Sequence, residues 1–204
     1  DDHVAWLNAT VKTGWRYWPR YRLLLNPRMA DLTIESLDRV TDRILGLLEN
    51  PLREGAWDRR GLVVGHVQSG KTSNYAGLIC KAADAGYKII IVLAGLHSNL
   101  RSQTQMRLDE AFLGYETSPM REDQPRQIGV GLLDPDPAIR PNYVTNRAEH
   151  GDFNTRIAQH LGITPDQRPW LFVVKKNKTV LTRLLEWIEN RVADSTEQRS
   201  GKRV

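Results

Sequence analysis

The chain has 204 residues, a net charge of +5 at pH 7 and a pI near 9.5, with 40% hydrophobic and 26% charged residues. Those proportions describe a soluble, globular chain long enough for one true core, and no apolar stretch approaches the ~18–20 residues of a membrane span. The single cysteine, Cys80, excludes an intramolecular disulfide, and the opening Asp1-Asp2-His3-Val4-Ala5-Trp6 lacks the basic and apolar regions of a secretory signal, so a cytoplasmic location is expected. The basic balance suits an acidic partner such as nucleic acid, but only weakly.

Residues 1 to 30 concentrate aromatic and arginine side chains: Trp6, Trp15, Arg16, Tyr17, Trp18, Arg20, Tyr21 and Arg22. Such rings and guanidinium groups stack on bases and hold phosphates. The plainer reading is that the rings anchor the segment to the core while the arginines face water; contact with an adenine ring is a third option. Ile34, Leu37, Thr41, Ile44 and Leu48 recur at helical spacing and predict an amphipathic helix over 33–49, capped by Thr33 and stopped at Asn50-Pro51. Residues 51 to 60 read as a connector.

Gly61-Leu62-Val63-Val64 reads as a short strand. Gly65-His66-Val67-Gln68-Ser69-Gly70-Lys71-Thr72 then matches G-x-x-x-x-G-K-[ST] in full. A triphosphate crowds negative charge onto neighbouring oxygens, and this loop answers with main-chain N–H groups, one ammonium and the positive end of a helix. Lys71 is expected to reach the β- and γ-phosphates and Thr72 to place a hydroxyl on Mg²⁺. Gly65, Gln68, Ser69, Gly70 and Ser73 complete the expected nucleotide site. His66 reads as a spacer. A helix is predicted over 72–85, with Gly86 as its C-terminal cap and Cys80 a small buried apolar residue within it. A second strand is predicted over 88–93. Strand, loop, helix, strand is the context this motif requires.

Gly95-Leu96-His97-Ser98 leads into a helix predicted over 99–112, with Leu100, Thr104, Leu108 and Ala111 on one face. Asp109-Glu110 sits within that helix and is not read as a metal-binding pair. Residues 114 to 126 read as a loop and 127 to 133 as a strand. Asp134-Pro135-Asp136-Pro137 reads either as a strand-end carboxylate linked to Mg²⁺ or as a turn, and the two prolines favour the turn. Residues 138 to 152 are polar and irregular. A helix over 153–161 with Asp152 as cap, a buried strand over 170–174 and a helix with Leu181, Leu184, Leu185, Ile188 and Val192 on its apolar face complete the pattern; a polar tail runs from Ala193 to Val204.

The segments Ile90 to Leu96 and Asn99 to Thr104 resemble the second motif of superfamily 2 helicases, which contacts nucleic acid. The strand Trp170 to Val174 with its trailing Lys175-Lys176-Asn177-Lys178 resembles the next nucleic-acid-contacting strand end. More closely, the chain resembles the Z-one domain family: helicase-like ATPases, often labelled endonucleases, found beside bacterial restriction–modification and phage-defence genes. The residues that carry this resemblance are Gly61 to Thr72, Leu93-Ala94-Gly95, Phe172 to Asn177, the helix from Ile34 and Gly151 to Asn154.

The resemblance implies a RecA-like α/β P-loop sandwich with a mostly parallel sheet and an N-terminal helical extension. It divides the chain into that extension (1–58), an incomplete first lobe (59–192) and a flexible tail (193–204). It also implies ATP and Mg²⁺ as cofactors, and a DNA partner held by Arg101, Gln103, Lys175, Lys176 and Lys178, the three lysines reading equally well as a solvated basic turn. Nuclease, methyltransferase or other defence subunits are expected associates. The acidic Asp-Glu pair that such ATPases require is not recognisable before Val204, so a larger protein, with this part inactive alone, is expected. Two rival readings stand beside it: a small-molecule kinase with an arginine-bearing lid between Met120 and Arg147, and a nucleotide-binding scaffold without turnover.

Overall fold

The computed structural model describes residues 3–55, 57–65, 70–120, 122, 124–160 and 168–191. Contacts divide the chain between Tyr87 and Lys88, not at the 58/59 boundary drawn from the sequence, so the helix carrying Lys71 belongs with the N-terminal helices.

The first unit is helical: α1 (Tyr17–Leu25), α2 (Asp31–Leu47) and α3 (Lys71–Ala85). α3 packs on both of the others. α2 starts two residues ahead of the predicted Thr33, with Ala30 as its cap, and buries Ile34, Thr41 and Leu45. Thr41 sits in this apolar stripe because its hydroxyl donates back to Leu37 O (2.7 Å). Trp6 and Leu45 meet Ala85 of α3 in the core, with Leu7, Trp15, Leu48 and Leu78 around them. Gly77 lets the Trp18 ring close on α3: a Cβ there would lie 3.1 Å from it. The rings of Trp6, Tyr17, Trp18 and Tyr21 are buried, which is the anchoring role. Arg20 departs from expectation, because it is only 3% exposed and stacks 5.0 Å from the Tyr17 ring.

Two local features of α3 are as the sequence predicts. Gly86 caps its C-terminus in the left-handed region (φ 112°), its N–H and that of Tyr87 returning to Ala83 and Ala82 carbonyls. Cys80 is fully buried, and burial pushes its thiol up. The strand expected over 61–64 is a correction. This run forms no strand; Leu62 and Val64 are 88% and 85% exposed. An apolar run becomes a strand only where a neighbour completes its ladder, and no pairing is made by the described residues of this run.

The second unit is mixed α/β around a three-stranded parallel sheet, ordered β1 (Ile89–Leu93), β3 (Trp170–Val174), β2 (Asn142–Tyr143). β3 is central and buried at all five positions, as its unbroken apolar run predicts. β1 is an edge strand, with Ile91 and Leu93 partly open to solvent. Helices α4 (Ser98–Leu108), α5 (Val130–Leu133), α6 (Thr155–His160) and α7 (Lys178–Arg191) complete the unit. Phe153 and Phe172 each lie about 6 Å from a neighbouring ring, packing on Trp187 at 5.8 Å to form the core with Leu184 and Val174. Trp187, not the 56% exposed Leu185, therefore faces inward from α7, while Val192 lies outside the described residues, as does the tail.

Three further expectations are corrected here. Residues 127 to 133 are not a strand: Gly129 takes a positive φ (51°), and α5 presses Gly131 against the end of a π-helical turn at Asp109–Leu113. A Cβ on Gly131 would lie 1.9 Å from Gly114 O. The 138–152 stretch contributes β2, and Thr145 extends it, its hydroxyl accepting from Val173 N (2.7 Å) in place of a ladder carbonyl. Leu108 and Ala111 are buried as expected, but on α4 Leu100 is half exposed while Arg101 and Gln105 are buried, so the inward face is polar over its first turns. Asp134-Pro135-Asp136-Pro137 is a turn, with Asp136 Oδ1 accepting from Ala138 N (2.9 Å). Asp109 is structural: buried, it accepts from Gln105, Thr117 and Arg147. No helix among the described residues is long and apolar enough to cross a membrane.

Candidate functional site

Gly70 ends the phosphate-loop motif in the left-handed region (φ 71°, ψ 29°) and is the N-cap of α3. Only a residue without Cβ adopts this conformation freely, and a glycine offers no side chain to cap the first turn of N–H groups. Lys71 and Thr72 are the first two helical residues, Lys71 exposed and Thr72 half-buried. No acidic residue lies in that first turn, so the helix end keeps its positive field. Gly65, at the other end of the motif, is exposed. Ser73 is engaged with the hydroxyl of Tyr21, which burial pushes upward. His66, Gln68 and Ser69 lie outside the described residues.

A groove of about 540 Å³ opens beside this helix end within the first unit. Leu37 and Val40 of α2 and Tyr75 and Leu78 of α3 supply its apolar walls; Gly65, Gly70 and Lys71 stand on its rim. The sequence reading missed it. The available signal was Val40, an apolar residue on the solvent side of α2 that stays 42% exposed.

The residues expected to meet nucleic acid separate into three groups. Arg101 is a correction: it is fully buried, its guanidinium donating to Asn146 O (2.9 Å) and Ala148 O (2.5 Å). Burial lowers its pKa against the pull of Asp152 and Asp109. It fastens the turn after β2 to α4, as Ser102 does by donating to Arg147 O (2.5 Å). Lys175 is half-buried, its ammonium 3.7 Å from Asp152 Oδ2 and 3.3 Å from Ser98 Oγ. Gln103, Lys176 and Lys178 are exposed.

The segments that follow β1 and β3 meet at the carboxyl edge of the sheet. Ala94 N donates to Val174 O (2.9 Å) and Lys176 N to Gly95 O (2.7 Å). Gly95 turns the chain there with φ 83°. Ligands of parallel sheets collect at this edge, and Lys176 and Lys178 flank the start of α7, whose first turn carries no acidic residue. Among the described residues no cluster of His, Cys, Asp and Glu is suited to a metal ion.

Comparison with protein-family models, with curated proteins and with solved structures found no match in any of the three.

Proposed function

We propose that this chain is the nucleotide-binding part of a RecA-like, helicase-related P-loop ATPase that acts on DNA in the cytoplasm. The observation that carries the reading is the turn at Gly70: a left-handed glycine hands the chain from the motif into α3, with Lys71 exposed in its first turn. The residues present fit a triphosphate with Mg²⁺. N–H groups at the start of α3 hold phosphate oxygens, Lys71 neutralises charge on the β- and γ-phosphates, and the Thr72 hydroxyl takes the metal. Mg²⁺, when bound, offsets charge between those phosphates. Activation of water belongs to an acidic residue not assigned among these.

Lys176 and Lys178 are the DNA-contacting residues of this reading, as point charges for phosphate. The likeness to the Z-one domain family extends the proposal to restriction or phage defence, alongside nuclease or methyltransferase subunits. The phosphotransferase alternative draws less support. Arg147 pairs with Asp109 (3.0 Å) and Glu116 (2.8 Å), and Arg140 stacks on Tyr115, so these arginines are held within their own unit rather than set out as a lid.

The test is equilibrium binding of a fluorescent ATP analogue to the Lys71→Ala protein. Loss of a charge-assisted contact of ~1.5–3 kcal/mol predicts affinity down by about tenfold or more, with an unchanged circular dichroism spectrum. Binding equal to that of the unmodified protein sinks the assignment.

A further inference from the structure

We infer that the groove between α2 and α3 receives the nucleoside end of the bound nucleotide, its base lying against Leu37, Val40 and Tyr75. This rests on the nucleotide reading above and adds what it lacks, since the phosphate-loop motif says nothing about where a base goes.

Three observations carry it. The groove and the phosphate-loop motif share residues: Gly65, Gly70 and Lys71 border the cavity, so a ligand anchored at the start of α3 has the cavity immediately beside it. Its volume, about 540 Å³, lies inside the ~300–1,000 Å³ range of small-molecule sites. Its chemistry suits a flat heterocycle with a sugar. The walls are aliphatic with one aromatic ring, and Thr33, Ser36 and Asn74 supply the few hydroxyl and amide groups along the lining that ring nitrogens and ribose hydroxyls need. Val40 and Val63 remain 42% and 56% exposed, apolar area that a base would cover.

Two ligands separate the parts of the site: ATP, and inorganic tripolyphosphate, which has the phosphates without the nucleoside. Their dissociation constants are measured by calorimetry on the full chain and on the V40W and S36W variants. Both positions are exposed on α2, so the added indole fills the groove without entering the core. The unmodified protein is expected to bind ATP more tightly than tripolyphosphate. Both variants should lose about tenfold in ATP affinity while holding tripolyphosphate within twofold.

ATP binding unchanged in both variants places the base elsewhere and overturns the inference, while the nucleotide reading survives if Lys71→Ala still lowers ATP affinity about tenfold or more. Equal affinity of the unmodified protein for the two ligands also overturns it, as does loss of tripolyphosphate in step with ATP. Failure of the unmodified protein to bind either ligand removes both readings together.

Discussion

The ammonium of Lys81, wholly buried between α2 and α3, lies 2.6 Å from the Asp42 carboxylate, with Asp38 as its second partner and the Trp18 ring 4.4 Å away. Lys12 reaches the other Asp42 oxygen (2.5 Å), so one carboxylate joins the N-terminal turn, α2 and α3.

The partners differ in what they lose if left alone. The carboxylates of Asp38 and Asp42 are 32% and 27% exposed, and turn to water if Lys81 is removed; Lys81 has no such escape. Lys81→Met, which keeps the stem against Trp18, is expected to cost about 1 kcal/mol. The double variant Asp38→Ala with Asp42→Ala leaves the buried ammonium without a counter-charge, with the main-chain carbonyl of residue 38 (2.8 Å) as its remaining partner there, and is expected to cost ~3–5 kcal/mol. Urea midpoints that rank the two the other way would show that the ammonium is not the costly party.

The same pair sets a pH dependence. Burial pushes the Asp42 carboxyl up, but hydrogen bonds from Lys12 and Lys81 outweigh it and hold the group below the ordinary carboxylate range. A depressed folded-state value means stability that is full above the ordinary value and lost as pH falls through the folded one. Asp84 and Asp109 are both raised, chiefly by burial, and act with the opposite sign: their contribution falls as pH rises. The difference between the original chain and Asp42→Asn isolates the first effect. Urea midpoints taken from pH 6 down to pH 3 should start to converge below about pH 4, the ordinary carboxylate value; parallel curves would dismiss it.

Gly131→Ala drives a methyl into the Gly114 carbonyl, which is backbone and has nowhere to go. A loss of about 1–3 kcal/mol is expected. Gly61→Ala is the control, since nothing lies within 4 Å of its added carbon, and it should stay within about 0.5 kcal/mol. Equal midpoints for the two would mean that the close approach is not rigid.

Lys176→Ala with Lys178→Ala should leave thermal stability unchanged and weaken binding to a DNA duplex. Removing two phosphate contacts flattens the slope of log K against log salt by about 2. Arg101→Ala, by contrast, breaks the bonds to Asn146 and Ala148 and should lower the melting temperature. A salt slope that does not move in the double-lysine variant rejects the patch.

What was legible from the sequence depended on whether one signal dominated locally. The helix after the phosphate loop, its glycine cap, and the strands at 89–93 and 170–174 are written in short-range propensity and apolar runs. Arg101 was misread, and the buried Gln105 passed over, because polar residues facing inward break the periodic rule, and their partners lie about forty positions away in sequence. Gly129 and Gly131 interrupt an otherwise strand-like run for a reason visible only where Glu110 meets the first and Gly114 the second. The groove beside Lys71 is a property of two helices together, so no single stretch of sequence encodes it.

The carboxylate of Asp84 accepts the N–H groups of Arg16, Tyr17 and Trp18 at 2.8–2.9 Å, capping α1 from 66 to 68 positions downstream. On a translating ribosome, those early residues emerge long before the group that fixes them. Vectorial synthesis therefore holds back the aromatic segment until the far end of α3 is out, and a stalled nascent chain ending short of Asp84 exposes Tyr17, Trp18 and Tyr21 to chaperones.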